Sequence, residues 1–157
     1  MESPQTNTQP EEVFINPLDG IITSSCGSRI NPVLNKTELH DGIDIGVPEN
    51  TDVVAVKSGK VIEVRTSKTL GNLLKFETED GYVVTYAHLN KALMEVGDEV
   101  EQGQVVAKSG NTGLSTGPHL HYGIQKDGML LDPMQYVDLS YTDDVVKEYA
   151  MRGESVR

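Results

Sequence analysis

The chain has 157 residues, 37% of them hydrophobic and 24% charged, and its formal net charge at pH 7 is -11. This length suits a single domain, and no apolar run approaches the roughly 18 residues that span a bilayer. The acidity disfavours nucleic acid, anionic lipid and anionic wall polymers as partners, because binding to them depends on neutralising negative charge with lysine and arginine. A single cysteine, Cys26, excludes an internal disulfide and a multi-cysteine zinc site, and we expect its thiol to be buried rather than reactive.

The chain begins with a polar segment. Met1–Glu12 contains two prolines and no hydrophobic periodicity, so residues 1–13 are predicted to form a disordered lead or linker. A charged n-region followed by an apolar h-region is not visible there, which argues against a signal peptide. The segment fits equally well the cut end of a linker from a longer, exported or membrane-anchored protein. Residues 14–138 are predicted to form the folded domain.

Short apolar runs dominate the middle of the chain, and glycine- and aspartate-containing turns separate them. The runs are Val53–Val56, Val61–Val64, Leu73–Phe76, Tyr82–Tyr86, Val105–Ala107 and His119–Ile124. The Thr78–Gly81 segment indicates a hairpin with a primed turn. Because no long helical pattern interrupts the strands, we predict a mostly β fold, an antiparallel sandwich or open barrel.

The pattern changes near the end of the chain, where residues 139–157 are predicted to form a tail with a short C-terminal helix. Asp143 and Asp144 suit a first helical turn, and Gly153 suits the end of the helix. Four apolar residues are expected to share one face of this helix: Val145, Val146, Tyr149 and Ala150.

Two β-runs end in the same tripeptide, Lys-Ser-Gly, at Lys57–Gly59 and at Lys108–Gly110. This repeat resembles the hammerhead domains that carry biotin or lipoate. Such carriers display a modified lysine at a hairpin tip, and neither Lys57 nor Lys108 has the flanking residues of such a tip. We therefore attribute the repeat to shared β geometry.

All four histidines fall within three short motifs. His40 and Asp44 belong to H-D-G-I-D, His88 to Y-A-H-L, and His119 and His121 to G-P-H-L-H-Y. Histidine is the commonest metal ligand and titrates near neutral pH, so this distribution indicates a metal site with acid/base chemistry beside it. A lone histidine at a strand end is usually a surface or core residue, and H-x-H alone is a weak signal. The interpretation as a metal site therefore rests on the combination of all three motifs.

The spacing of the motifs suggests how they converge. His119 and His121, two residues apart in a strand, point to one face. His88 reaches the same pocket if its strand neighbours theirs. Two imidazoles and one carboxylate, with water in the fourth place, make up a catalytic zinc site. Because no H-E-x-x-H helix supplies a glutamate base, His88 and His119 are the residues of suitable pKa for that role.

A bend leading into a strand is predicted between His40 and Asp44, because Gly42 and the β-branched residues beside it disfavour a helical turn. The neighbouring acidic residues are expected to be solvated loop charges: Glu38, Asp41 and Glu49.

These motifs together resemble the signature of the lysostaphin/LytM-type zinc metallopeptidases, and the resemblance covers roughly Ile15–Val137. The matching segments are Arg29-x-x-Pro32, His40–Ile45, Tyr86–Leu89, Gly110–Tyr122 and Leu131–Tyr136. Some members place a tyrosine six residues before the first histidine, where this chain has Leu34. Without that tyrosine, stabilisation of the oxyanion would fall on zinc and the histidines.

The resemblance implies an antiparallel β-sheet core with an open groove and Zn²⁺ held by His40, Asp44 and His121. His88 and His119 would be the unliganded pair that activates water and stabilises the tetrahedral intermediate. The implied activity is hydrolysis of peptide bonds in the stems or cross-bridges of bacterial peptidoglycan, in the cell envelope or after secretion. The residues that would shape the groove for the peptide are Asn111, Thr112, Ser115 and Thr116.

Two other functions fit parts of the sequence. The first is a LytM-like protein-interaction module of a cell-envelope or sporulation complex with a retained zinc site. The acidity, the missing tyrosine and the tail after Asp138 favour it. The second is phosphoryl transfer by a paired-histidine β-sandwich, which would leave His40 and Asp44 without a role.

Overall fold

The computed structural model describes residues 12–31 and 36–154. Residues 1–11 of the predicted lead, together with Pro32 and Leu34, lie outside these ranges, as do the side chains of Arg29 and Glu38. The described residues form twelve β-strands, one 3-10 helix and one α-helix. The strands are β1 (Ile21–Ser24), β2 (Gly27–Asn31), β3 (Lys36–His40), β4 (Ile43–Gly46), β5 (Asp52–Val54), β6 (Gly59–Ser67), β7 (Gly71–Thr78), β8 (Tyr82–Ala92), β9 (Glu99–Val100), β10 (Val105–Ser109), β11 (His119–Lys126) and β12 (Met129–Leu131). The 3-10 helix is Pro133–Tyr136, and α1 is Asp143–Met151.

Ten of these strands form one antiparallel sheet, which confirms the predicted mostly β fold. Its main path runs in the order β1-β4-β11-β8-β7-β6-β9, with β10 pairing β5 and β8, and β12 pairing β11. The strands β2 and β3 form a separate two-stranded sheet. All six predicted runs lie wholly or partly in strands, and β8 and β11 are neighbours, as the convergence of the histidine motifs requires.

The predicted hairpin at Thr78–Gly81 is present, but its turn is not of the primed kind. The Gly81 amide donates to the Thr78 carbonyl over 3.1 Å, and within the turn only Gly81 has a positive φ, of 91°. A primed turn instead joins β11 to β12, where Asp127 and Gly128 have φ values of 54° and 76°.

The core lies against the sheet and contains the buried aromatic residues Phe76, Tyr86 and Tyr122. The Tyr86 hydroxyl donates to the Val54 carbonyl over 2.7 Å. Cys26 is buried, as predicted, and burial together with nearby carboxylates raises the pKa of its thiol to about 12, so the thiol is unreactive.

The helix α1 begins after Thr142, as predicted, and packs into this same core. Val145 and Tyr149, four residues apart on one side of the helix, are buried. The face that these four residues share is only partly buried, because Val146 and Ala150 each lie one residue, about 100° of helical rotation, from the buried pair and are exposed. Within the described part of the chain, no helix has the length and apolarity needed to cross a membrane.

Candidate metal centre and active site

Three side chains from three strands form a group able to hold a metal ion. His40 ends β3, Asp44 lies in β4, and His121 lies directly opposite Asp44 in β11. His40 Nε2 is 3.4 Å and His121 Nδ1 is 3.3 Å from Asp44 Oδ1. One ligand atom from each residue lies within 4.8 Å of the others. The sheet register therefore assembles the predicted ligand set.

Two glycines allow the first ligand loop to pass close to β11. A Cβ at Gly42 would overlap the Tyr122 carbonyl and lie 3.0 Å from the His121 ring. A Cβ at Gly123 would lie 2.9 Å from the Asp41 carbonyl. The predicted bend before β4 is confirmed, and a side chain at either glycine would push the first two ligands away from the third.

The second ring nitrogen of each histidine ligand has its own acceptor. His40 Nδ1 donates to the Ser25 carbonyl over 2.7 Å, and His121 Nε2 donates to Asp41 Oδ1 over 3.0 Å. Such hydrogen bonds fix the tautomer and the ring orientation of metal-binding histidines. Asp41 is an exposed loop charge, as predicted, with 59% of its side chain exposed, but its carboxylate also contacts His121, which was not predicted. Its position next to the first histidine was the only sequence signal for this contact.

The electrostatics of the group are those of a cation site. Burial alone would lower the pKa of His121, but hydrogen bonds to Asp41 and Asp44 raise it to about 9. Burial alone would raise the pKa of Asp44, but its interactions with His121 and His40 outweigh burial and lower it. The pocket thus favours positive charge beside the Asp44 carboxylate. Two imidazole nitrogens and one carboxylate oxygen are a donor set that zinc takes in catalytic sites.

The other two histidines lie beside this group. The His88 and His119 rings have centroids 4.7 Å apart, and the His88 centroid is 6.2 Å from that of His121. His119 Nε2 lies 3.7 Å from Asp44 Oδ1. All four histidines of the chain therefore meet at one place, although they come from different parts of the sequence.

Main-chain carbonyls set the tautomers of these two histidines. His88 Nδ1 donates to the Thr112 carbonyl over 2.7 Å, and His119 Nδ1 donates to the Gly117 carbonyl over 2.8 Å. A carbonyl oxygen only accepts, so each Nδ1 carries the proton and each Nε2 is the basic atom. Burial lowers the pKa of His88, which keeps its ring neutral and able to accept a proton near neutral pH.

His88 has a left-handed backbone conformation, with φ of 59°. The strand β8 pairs with β11 up to Ala87 and with β10 from Leu89 onward, so His88 lies where the strand changes partner. Opposite β7 the register shifts at the same point. Non-glycine residues rarely adopt this conformation, and such strain concentrates at functional sites. The bulge directs the imidazole towards the other histidines.

The predicted groove residues occupy two kinds of position. Asn111 and Thr116 are exposed. Thr112 instead holds the loop in place, because its hydroxyl donates to the Leu89 carbonyl over 2.6 Å and accepts from the Asn72 amide over 3.1 Å. The carbonyl that orients His88 is thereby fixed to two strands.

Ser115 is placed next to His119. Its hydroxyl donates to the Gly117 carbonyl over 2.9 Å and lies 3.2 Å from His119 Nδ1. The loop that was predicted to shape the groove therefore also orients both histidines that are outside the metal-ligand group.

Comparison with known proteins agrees with this geometry. The chain is 36% identical over 107 residues to the peptidoglycan DD-endopeptidase ShyA of Vibrio cholerae, an alignment that covers 68% of this chain and 25% of ShyA. The crystal structure of a zinc-containing peptidase from Vibrio cholerae superposes with a TM-score of 0.73 and 35% identity, covering 82% of this chain and 41% of that one. The structure of the SpoIIQ–SpoIIIAH pore-forming complex contains a chain with a TM-score of 0.71 and 26% identity, covering 88% of this chain and 98% of that one.

The chain spans about a quarter of the length of the curated relatives it matches. The sequence model of Peptidase family M23 matches residues 38–133, which include both ligand motifs and the two additional histidines. With the match covering more than half of the chain and its metal-binding group assembled, the protein belongs to peptidase family M23.

Proposed function

We propose that this chain is the zinc-dependent catalytic domain of an endopeptidase that hydrolyses peptide bonds in the stems or cross-bridges of bacterial peptidoglycan. The observation that carries the proposal is the meeting of two basic histidines with a three-residue metal-binding group. The name of the relative ShyA supports peptidoglycan as the substrate, and it supports action outside the cytoplasm.

His40 Nε2, Asp44 and His121 Nδ1 would hold the zinc ion. Zinc in such a site supplies a Lewis acid that polarises a carbonyl group and lowers the pKa of water. Three protein ligands leave the open coordination position that distinguishes catalytic from structural zinc sites. The carboxylate of Asp41 and the carbonyl of Ser25 keep the two imidazoles oriented for binding.

His88 and His119 would carry the proton transfers. Their Nδ1 atoms are occupied by carbonyls, so the Nε2 atoms accept the proton of the attacking water and later donate it to the leaving amine. With a proton on Nε2, either ring also stabilises the negative charge that develops on the substrate oxygen. The loop that carries Asn111 and Thr116 would form one wall of the groove.

The proposal is tested by incubating the protein with zinc and purified peptidoglycan and identifying the released fragments by mass spectrometry. We expect zinc-dependent release of cleaved stem peptides. In His88→Ala the rate should fall by about 10²–10⁴-fold, the contribution of a general acid/base. Gln125→Ala, an exposed change further along β11, serves as the control and should cleave like the wild type. Absence of zinc-dependent release from every wall chemotype would overturn the proposal.

A protein-interaction module is the second function, and the similarity to a chain of the SpoIIQ–SpoIIIAH complex favours it. Such a module would bind a cell-envelope partner and keep zinc for structure or regulation. The strong negative charge of the chain suits a basic partner. Zinc binding without cleavage of any wall substrate, together with unchanged partner binding in His88→Ala, would select this function over the enzyme.

A further inference from the structure

We propose that the C-terminal helix α1 acts as a positioning element for the metal centre, holding His40 in place through Ser25. The inference rests on the metal site proposed above and assigns a role to a part of the chain outside residues 38–133, the range matched by the family model. Glu148 and Arg152 are the positioning residues.

Ser25 is the direct support of His40. It lies between β1 and β2 and is fully buried, and its carbonyl accepts from His40 Nδ1 over 2.7 Å. This is the contact that leaves His40 Nε2 facing Asp44. A shift or rotation of the Ser25 peptide would therefore turn the imidazole away from the other two ligands.

Two residues at the end of the helical segment fix the remaining polar groups of Ser25. Its backbone amide donates to Glu148 Oε1 over 3.3 Å, and its hydroxyl accepts from Arg152 Nη1 over 3.2 Å. Glu148 and Arg152 are four residues apart, so they lie on the same side of the helix. The amide, the hydroxyl and the carbonyl of this one serine are thus all engaged, the amide by Glu148 in α1, the hydroxyl by Arg152 directly after α1, and the carbonyl by His40.

The helix is itself anchored independently of Ser25. Val145 and Tyr149 are buried in the core, and the Tyr149 hydroxyl donates to Asp132. The Arg152 guanidinium lies 4.6 Å from the centroid of the Tyr149 ring, a cation–π contact that fixes its direction.

The segment before α1 is fixed to β1 as well. The Ile22 amide donates to the Ser140 carbonyl over 2.9 Å, and the Thr142 amide donates to the Ile22 carbonyl over 3.1 Å. The strand β1, which leads into Ser25, and the helix α1, which contacts Ser25, are therefore held together by backbone hydrogen bonds. This arrangement can hold Ser25, the hydrogen-bond partner of His40, rigidly. Loss of a residue that hydrogen-bonds a metal ligand typically weakens metal affinity by about 10–100-fold.

The experiment compares zinc affinity in the wild type, in the double variant Glu148→Ala/Arg152→Ala and in the two single variants, by competition with a chelating dye. We expect the double variant to bind zinc about 10–100-fold more weakly while circular dichroism shows a folded β protein. Glu148→Gln, which keeps the acceptor oxygen for the Ser25 amide, should retain most of the affinity. Lys147→Ala, an exposed change on the same helix, should bind like the wild type.

Tyr149→Phe separates positioning from stability, since it removes the Asp132 hydrogen bond while keeping the ring under Arg152. It should lower the unfolding midpoint without changing zinc affinity. The inference would be overturned if the folded double variant bound zinc within twofold of the wild type. If the double variant does not fold, the same result for both single variants would overturn it. If the wild type binds no zinc, the proposed metal site fails instead. The ¹⁵N chemical shifts of His40 in the metal-free protein then still test whether α1 positions His40. If it does, the double variant should lose the Nδ1–H tautomer of His40 that the wild type shows.

Discussion

The backbone of His88 shows what one residue contributes to this site. Its left-handed φ costs a non-glycine residue about 1 kcal/mol, and the strain is tolerated because the conformation aims the ring at His119 and lets Nδ1 reach the Thr112 carbonyl. Because of this conformation, we expect replacement of His88 by glycine and by alanine to differ in their effect on stability but not in their effect on catalysis.

His88→Gly should be more stable than His88→Ala by about 1 kcal/mol, because glycine adopts a positive φ without a steric penalty. Both variants lack the imidazole, so both should be equally inactive. Urea denaturation measures the first quantity and fragment release the second. Ala87→Gly is the matched control, since the neighbouring residue does not have a positive φ and glycine there should be destabilising. Equal stabilities of the two His88 variants would contradict the strain.

At this scale the sequence was most informative about the residues that carry chemistry. The meeting of the five positions proposed for metal binding and acid/base chemistry could be predicted because every histidine of the chain fell in a motif. The residues that orient them could not. Ser25 acts through a backbone carbonyl, which leaves no trace in residue type, and the Asp41 carboxylate is indistinguishable in sequence from an ordinary loop charge.

Among the elements, the turn between β7 and β8 is an organised unit. Lys57 follows β5 and is buried, and its ammonium donates to Asp80 Oδ2 in this turn over 2.8 Å. The Thr78 hydroxyl donates to the other oxygen of Asp80 over 2.6 Å. Burial alone would raise the pKa of Asp80, but these two hydrogen bonds outweigh it and lower the pKa.

Asp80→Asn should therefore lower the free energy of unfolding at pH 7 by about 1–3 kcal/mol, because a buried ammonium loses its carboxylate partner. A carboxyl group with a lowered folded-state pKa stabilises the protein above its unfolded pKa of about 3.9, and this contribution is lost as the pH falls through the folded value. The difference between wild type and variant should be constant from pH 7 to about pH 5 and should shrink below about pH 4.

Urea titrations at several pH values between 3 and 7 measure that difference. Glu79→Gln, an exposed neighbour in the same turn, is the control and should behave like the wild type throughout. A difference that grows with acidity would mean that the Asp80 carboxylate does not act by its charge.

The strands that sequence patterns identified are those with apolar runs. The polar strands β2 and β3 have too few apolar residues to show alternation, and β9 and β12, of 2 and 3 residues, are too short to show it. The turn type at Thr78–Gly81 was mistaken because Asp-Gly suits both a primed turn and a type I turn followed by a left-handed glycine.

For the whole molecule, the metal centre and the hydrophobic core are separate sources of stability. The core includes residues from β1 to α1 and is formed without a metal ligand. The C-terminal segment, predicted from sequence as a tail distinct from residues 14–138, contributes Val145 and Tyr149 to that core. The sequence predicts this helix but not its packing against the core, because its two buried side chains are too few to form a clear apolar stripe.

Chelation should therefore abolish activity and leave the β circular-dichroism signal. Bound zinc at 100 times its dissociation constant adds about 2.7 kcal/mol to the free energy of unfolding, so removing it should lower the unfolding midpoint without unfolding the protein. Titration with a chelator, followed by circular dichroism and by fragment release, measures both effects. Loss of the β signal together with activity would show that the fold depends on the metal.

The position of β11 has a consequence for synthesis. It lies between β4 and β8, yet it is translated after both of them. While a ribosome is still making residues 1–118, the two halves of the sheet have no shared strand and the last ligand does not exist. That slot can be filled only once residues 119–126 have been made, so the group formed by His40, Asp44 and His121 cannot assemble before β11 is available.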